Sequence, residues 1–286
     1  MVAGGGYPAG MRCLVCGTER VDTKTVAGVT IRRCHACGLH TMPVGERKGT
    51  SYADVDTDAY LQSIGHVRQA QGEDIVAFVR KHGAKGEWLD VGCGYGYVLD
   101  AARAAGFNVR GIEPNVTAVQ AARARGINVS HGYLDEHTLS ADIVSTLDVL
   151  EHLDDINAFA ELVKTKTRGL WVIKVPSSDG LFFRIAHALR LRGAVERLWQ
   201  SQCEHPHTVY FNESTLTHFL RNHGFDIVAV RYLDEIPTRT VVPRLTLTGD
   251  MPHWKARLVI PLVFAVNVIE RLRRKSDALV VLAQAK

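Results

Sequence analysis

The chain has 286 residues, of which 46% are hydrophobic and 22% charged, and a formal net charge of +4. That length and apolar content suffice for one α/β domain and a small module, and they exclude a disordered, fibrous or disulfide-stapled chain. The mild positive charge permits an anionic substrate or surface without calling for nucleic acid. The start, Met1 to Pro8, has no basic segment leading into an apolar run, and no apolar run approaches the roughly 20 residues of a spanning helix. A cytoplasmic protein is expected.

Residues 1–46 read as a first unit. Cys13-Leu-Val-Cys16-Gly17 and Cys34-His-Ala-Cys37-Gly38 have 17 residues between them, a spacing that suits one tetrahedral Zn2+ held by four thiolates. A glycine after each pair lets the backbone fold under the sulfurs. Thr23 to Arg33 alternates as a short hairpin does, so a zinc ribbon is expected, its closed ligand set making the metal structural. His35 and His40 are the alternative ligands and are read as bystanders. Four of the six cysteines clustered in this way point to a reducing compartment.

Residues 47–83 read as a linker and leading helices: polar to Thr57, then Tyr60, Ile64, Val67, Ile75, Phe78 and Val79 at helical spacing before Gly83. From 84 to 286 strand and helix patterns alternate. Glu87 to Val91 is a strand that runs into Gly92-Cys-Gly94-Tyr-Gly96 and a helix from Val98; Phe107 to Glu113 is the next strand. Helix Val116–Arg125, strands Ile127–Ser130 and Asp142–Asp148, helix 155–167 and strand Gly169–Val175 follow. Helix Glu213–His223 and strands Phe225–Val230 and Ala278–Leu282 complete the pattern. The expectation is an α/β fold, a parallel sheet with helices on both faces and ligands at the carboxyl ends of its strands. Two excursions, 178–206 and 235–277, interrupt it.

Alternating glycines let the chain turn sharply and meet a ligand without a Cβ in the way. A dinucleotide fingerprint requires glycine where Tyr97 stands, which argues against hydride transfer. Glu113, at the end of the next strand, is placed to accept hydrogen bonds from ribose hydroxyls.

Leu89-Asp-Val-Gly-Cys-Gly-Tyr-Gly96, Gly111-Ile-Glu-Pro-Asn115 and Asp148-Val-Leu-Glu-His-Leu153, in this order and at these separations, resemble class I S-adenosylmethionine-dependent methyltransferases. The resemblance implies a Rossmann-like, mostly parallel seven-stranded sheet whose last strand is antiparallel. It implies S-adenosylmethionine as cofactor, with Asp90, Gly92, Gly94 and Gly96 around the methionine half, Glu113 on the ribose and Asp148 near the methionine end. Where many members carry an acid for the adenine amino group, this chain reads Gly132-Tyr133-Leu134-Asp135. The adenine contact then falls to Tyr133 and Leu134 by packing, or to Asp135.

Methyl transfer needs an aligned acceptor and, for a hydroxyl or carbon acid, a base. Gln202-Cys-Glu204-His205-Pro-His207-Thr-Val-Tyr210-Phe211 resembles the His-x-x-Tyr-Phe segment of zinc-ribbon-bearing sugar C-methyltransferases, where a Glu-His pair is the base. The match sets His207 on the catalytic histidine, although Pro206 precedes it and the pair Glu204-His205 falls in a shifted register. Glu204, His205 and His207 are therefore the candidate catalytic residues; the alternative is that the histidines only orient their loop. His152 is read as structural.

The expected activity is methyl transfer to carbon or oxygen of a small molecule, a sugar or another natural-product intermediate. One rival is an RNA methyltransferase that docks RNA on the ribbon, disfavoured because no Asp-Pro-Pro-Tyr-like or Pro-Cys motif follows the fourth strand. The other is a non-catalytic zinc-ribbon binding protein. In the excursions, Leu181 to Arg192 mixes large apolar residues with arginines, and Leu258, Leu262, Ala265, Ile269 and Leu272 share a helical face flanked by basic residues. These segments are expected to be lids over the substrate cleft. The alternative is peripheral contact with an anionic membrane or a lipid-linked substrate.

Overall fold

A computed structural model of the chain describes residues 12–43, 58–246 and 253–286. The linker expected from 47 to 57 lies outside the described residues. Strands β1 (Val21–Val26) and β2 (Val29–Cys34) form an antiparallel hairpin with Val26 opposite Val29, and β3 (His40–Thr41) pairs with β2. One long helix, α1 (Asp58–Lys81), leads into the main sheet.

Alternation then proceeds as β4 (Glu87–Val91), α2 (Tyr97–Ala104), β5 (Asn108–Glu113), α3 (Val116–Ala124), β6 (Asn128–His131), β7 (Ala141–Leu147), α4 (Ile156–Lys166) and β8 (Thr167–Pro176). The first excursion folds as α5 (Leu181–Ala188) and α6 (Arg192–Trp199), before β9 (Val209–Tyr210), α7 (Glu213–Asn222) and β10 (Phe225–Leu233). The second holds α8 (Val241–Thr246) and α9 (His253–Arg273), after which β11 (Ala278–Ala285) ends the fold.

Seven strands lie in the order β10-β11-β8-β7-β4-β5-β6, with β4 parallel to both neighbours and β11 antiparallel to β8 and β10. The Rossmann-like sheet with its antiparallel last strand is thus present. Central strands are apolar on both faces because helices cover both, as Ile143, Val144, Val172 and Ile173 show, each at most 1% exposed. Polar atoms at the centre pair with one another: Trp88 Nε1 donates to Ser145 Oγ (2.7 Å), which donates to Asp90 Oδ1 (2.5 Å).

The amino-terminal ribbon does not stand apart from this sheet. Its fourth strand is β9, from beyond β8, with His40 opposite Tyr210 and Thr41 opposite Val209. Cys13, Val15, Cys34 and Leu39 share one apolar core with Val209, Phe211 and Leu216.

Helix α9 departs from its expected role. The face carrying Leu258, Leu262, Ile269 and Leu272 points to solvent, with Leu272 81% exposed, so it does not pack over a cleft. The inward side combines the partly buried Val263, Phe264 and Val266 with two buried polar residues: Asn267 Nδ2 donates to the Ile236 carbonyl (3.0 Å), and Glu270 accepts from Leu181 N (2.7 Å) and Ser276 Oγ (2.6 Å). Among the described residues no helix is long and apolar enough to cross a membrane.

The approach of α2 to β5 depends on Gly111. A Cβ there would lie 2.5 Å from Cys93 Sγ and 2.8 Å from Leu99 Cδ1, inside contact distance. Gly111→Ala should therefore destabilise the chain by about 1–3 kcal/mol, the usual cost of overpacking. Urea unfolding checks this, and an unchanged midpoint would contradict the packing described.

Candidate active site

Strand β4 delivers the chain into a turn whose three glycines all have left-handed φ: +72° at Gly92, +52° at Gly94 and +79° at Gly96. They differ in what surrounds them. A Cβ on Gly92 would meet Val149 Cγ2 at 2.8 Å and one on Gly96 would meet Ile127 Cδ1 at 2.8 Å, whereas at Gly94 nothing lies within 4 Å. The outer two glycines permit packing, and the middle one borders open space that a ligand can fill.

Glu113 ends β5 and pins this turn. Its carboxylate accepts from Gly94 N (2.7 Å) and Asn115 N (2.8 Å). Burial pushes its pKa up, and the two backbone donors act against that. Asp90 is 2% exposed; burial pushes its pKa up to about 7, opposed by the bond from Ser145.

Helix α1 lies against the helix that follows the turn because its glycines allow it. A Cβ on Gly72 would come 3.1 Å from Val98 Cα, and one on Gly65 would come 2.8 Å from Tyr97 Oη. Tyr97, which stands where a dinucleotide fold has glycine, is thus used for packing α1. In the segment considered for adenine, Leu134 is buried in the apolar core with Val91 and Ile112, Tyr133 is 67% exposed, and Asp135 turns back to accept from Thr138 N and Oγ1 (both 2.8 Å).

At the end of β7, Asp148 has a left-handed φ of +57°. Its carboxylate accepts from Lys174 Nζ (2.7 Å to each oxygen) on β8 and from Arg68 Nη1 on α1. Burial would raise its pKa, but the charges of Arg68 and Lys174 outweigh burial and hold it below the ordinary carboxylate range.

The 3-10 turn Leu150–His152 follows at once and meets the segment before β9. Glu151 is 1% exposed, and its Oε2 is buried with no hydrogen-bond partner. Burial, then the charge of Asp148, push its pKa well above the usual value. His152 Nδ1 donates to the His205 carbonyl (3.0 Å), and burial lowers its pKa to about 4. Tyr210 Oη donates to the Leu198 carbonyl (2.7 Å), so His207 Nδ1 is the donor in its 3.2 Å bond to Tyr210 Oη. Burial, then His152, bring the His207 pKa down to about 3. Both rings are neutral at pH 7, their centroids 4.8 Å apart.

The expected catalytic segment enters this cluster in a different way from its sequence pattern. The ring of His207 is in it, but His205 contributes its backbone carbonyl, and no hydrogen bond joins Glu204 to His207 among the described residues. The glutamate grouped with His207 is Glu151, and His152, read as structural, completes the group: one ligand atom of each lies within 4.8 Å of the others.

In the ribbon, Cys13 and Cys37 sulfurs are 3.5 Å apart, as are those of Cys16 and Cys34, and none of the four forms a disulfide. A tetrahedral ion with metal–sulfur bonds of about 2.3 Å requires sulfur separations of about 3.8 Å, so the four thiols are grouped to hold one metal ion. His35 pairs instead with Asp22 (2.7 Å), and His40 packs edge-on against Phe183.

The family described as "Methyltransferase domain" matches residues 64–230, more than half of the chain. The chain belongs to this family and is a class I S-adenosylmethionine-dependent methyltransferase. The methyltransferase is 29% identical over 178 residues to a ubiquinone biosynthesis O-methyltransferase of Rickettsia akari (strain Hartford), covering 58% of this chain and 69% of that one. It is 26% identical over 155 residues to a protein of the same name from Cupriavidus pinatubonensis, covering 50% and 61%. The cyclopropane synthase MmaA2 of Mycobacterium tuberculosis has a similar fold, with a TM-score of 0.54 at 15% identity over 76% of this chain and 83% of that one. So does the magnesium protoporphyrin IX methyltransferase of Synechocystis PCC 6803, with a TM-score of 0.52 at 16% identity over 78% and 84%. S-adenosylmethionine is the cofactor, and the open space at Gly94 beside Glu113 fits it.

The buried charges around Asp148 give a direct test of this geometry. Asp148→Asn leaves the buried Lys174 without its close counter-charge and should cost about 3–5 kcal/mol, the partly exposed Arg68 adding little. Denaturant unfolding measures it, and a loss near zero would show that the cluster is not the buried ion pair described.

Proposed function

We propose that this methyltransferase transfers a methyl group to oxygen, or to carbon, of a small-molecule acceptor bound beside Asp148 and the His207 segment. The observation that carries this reading is the group of Glu151, His152 and His207, in which Glu151 and His152 lie shortly after Asp148 in the chain and the centroid of the His207 ring lies 4.8 Å from that of His152. Bound S-adenosylmethionine supplies an electrophilic methyl group. Gly92, Gly94, Gly96 and Glu113 would hold it, with Asp90 and Asp148 near its methionine half and Tyr133 and Leu134 near the adenine.

His207 is the candidate for relieving the acceptor of a proton, because a neutral imidazole fixed through Nδ1 offers its Nε2 lone pair. Glu151 takes the place of Glu204 as the glutamate beside His207, and the His205 carbonyl orients His152 by accepting from its Nδ1. Oxygen is favoured as the target because the sequence relatives are named O-methyltransferases. A sugar remains within the class of acceptors proposed. The ion in the cysteine cluster is taken to be structural Zn2+, the metal that four thiolates favour, in a reducing cytoplasm. The exposed apolar face of α9, flanked by Lys255, Arg257 and Arg271, suits contact with an anionic surface bearing the acceptor.

Transfer of labelled methyl from S-adenosylmethionine to a panel of hydroxylated small molecules tests the proposal. His207→Gln should lower turnover by roughly 10²–10⁴-fold while leaving S-adenosylmethionine binding unchanged. Full turnover in the variant, or transfer to RNA and to no small molecule, would refute the reading.

A further inference from the structure

We infer that Glu151, His152 and His207 form a binding site for one divalent transition-metal cation, separate from the cysteine cluster and next to Asp148. The inference rests on the proposal that this group faces the acceptor, and it assigns how the group acts there. Three observations lead to it.

The first is proximity. Each residue offers one ligand atom, and the three atoms lie within 4.8 Å of one another. Ligands of one ion at about 2.1 Å lie within about 4.2 Å of one another, so any closing of the group falls to the longer, more flexible Glu151 side chain.

The second is how the rings are held. A histidine that binds a metal through Nε2 has its Nδ1–H fixed by a carbonyl or another acceptor, which sets tautomer and direction. Both histidines have that support: His152 Nδ1 donates to the His205 carbonyl (3.0 Å), and His207 Nδ1 donates to Tyr210 Oη (3.2 Å). Tyr210 is itself fixed by donating to the Leu198 carbonyl (2.7 Å). The support comes from backbone and from a buried tyrosine, so neither ring can turn cheaply.

The third is the glutamate. Glu151 is 1% exposed, and its Oε2 has no hydrogen-bond partner. A buried carboxylate oxygen left without a partner is costly. A hydrogen-bonded network of protein groups alone would have satisfied it; a cation held with the two imidazoles does so.

The surrounding charge permits a cation. Lys174 and Arg68 would repel one, but both are paired with Asp148. Two imidazoles and one carboxylate suit Mn2+, Fe2+, Co2+ or Zn2+, whereas the four thiolates of the ribbon select Zn2+. Three protein ligands leave positions open, so the acceptors served would present an oxygen; in place of proton abstraction by His207, whose Nε2 would then be a ligand, the cation would lower the pKa of the bound hydroxyl and its proton would pass to water.

The test titrates the full chain with MnCl2, zinc retained in the cysteine cluster and checked by metal analysis, while the six-line EPR signal reports free Mn2+. One Mn2+ per chain should bind, and Glu151→Gln and His207→Gln should each weaken it at least about 10-fold. Folding of both variants is verified by S-adenosylhomocysteine binding. If neither folds, Tyr210→Phe serves in their place, since it loosens His207 without removing a ligand, and it should also weaken binding. Absence of Mn2+ uptake by the wild-type chain, or uptake unaltered in the folded variants, overturns the inference. Mn2+ binding requires no acceptor, so a chain that binds it yet methylates no small molecule contradicts only the proposed function.

Discussion

The pairing of Asp148 with the buried Lys174 and the partly exposed Arg68 is the constraint on which the site depends. It ties the end of β7 to β8 through Lys174 and to α1 through Arg68. A charge as poorly solvated as that of Lys174, 2% exposed, persists only against a counter-charge, so β7 and β8 are fixed relative to one another by the need to neutralise it, and the partly exposed Arg68 adds the link to α1. The left-handed backbone at Asp148 sends the chain sharply away from the sheet, and the next residues are the turn that presents Glu151 and His152. Lying beside α2 through Gly65 and Gly72, α1 brings Arg68 to Asp148 at the end of β7.

The ribbon is a structural part of the half of the molecule that carries Glu151 and His207. Thr208 N donates to the Glu151 carbonyl (2.6 Å), and Met42 N, just after β3, donates to the Thr208 carbonyl (2.9 Å). Strand β9 is therefore held from one side by the ribbon and from the other by the turn that carries Glu151. Cys37 reinforces this: its carbonyl accepts from Thr215 Oγ1 (2.5 Å) on α7. Metal held by the four cysteines would stiffen the support under His207, two residues ahead of β9. That gives a physical reason for a small metal module to accompany a methyltransferase fold.

Much of the fold was legible because its elements carry strong local signals. β7, β8 and β11 are apolar runs bounded by turn residues, and Gly92, Gly94, Gly96 and Glu113 keep fixed spacings at the ends of strands. β9 was not legible, since two residues have no periodicity and its pairing with β3 joins segments far apart in sequence. The Asp148 to Leu153 motif was visible, but the partnership of Glu151 and His152 with His207 arises only when the chain closes on itself. Arg68 was hidden in a helix whose apolar spacing shows which side is buried and nothing of what an arginine on it will reach. For α9 the amphipathic pattern was real and its direction was misjudged: the hydrogen bonds that Asn267 donates and Glu270 accepts turn that side, with the partly buried Val263 and Phe264, toward the protein.

Calorimetric titration with S-adenosylhomocysteine, on the wild-type chain and on Gly94→Val, tests most directly the claim that the turn after β4 is the methyl-donor site. The account predicts one site per chain in the wild type and its loss in a folded Gly94→Val protein, whose added side chain would occupy the open space beside Glu113. No heat of binding to the wild-type chain, or equal binding by the two proteins, would contradict it.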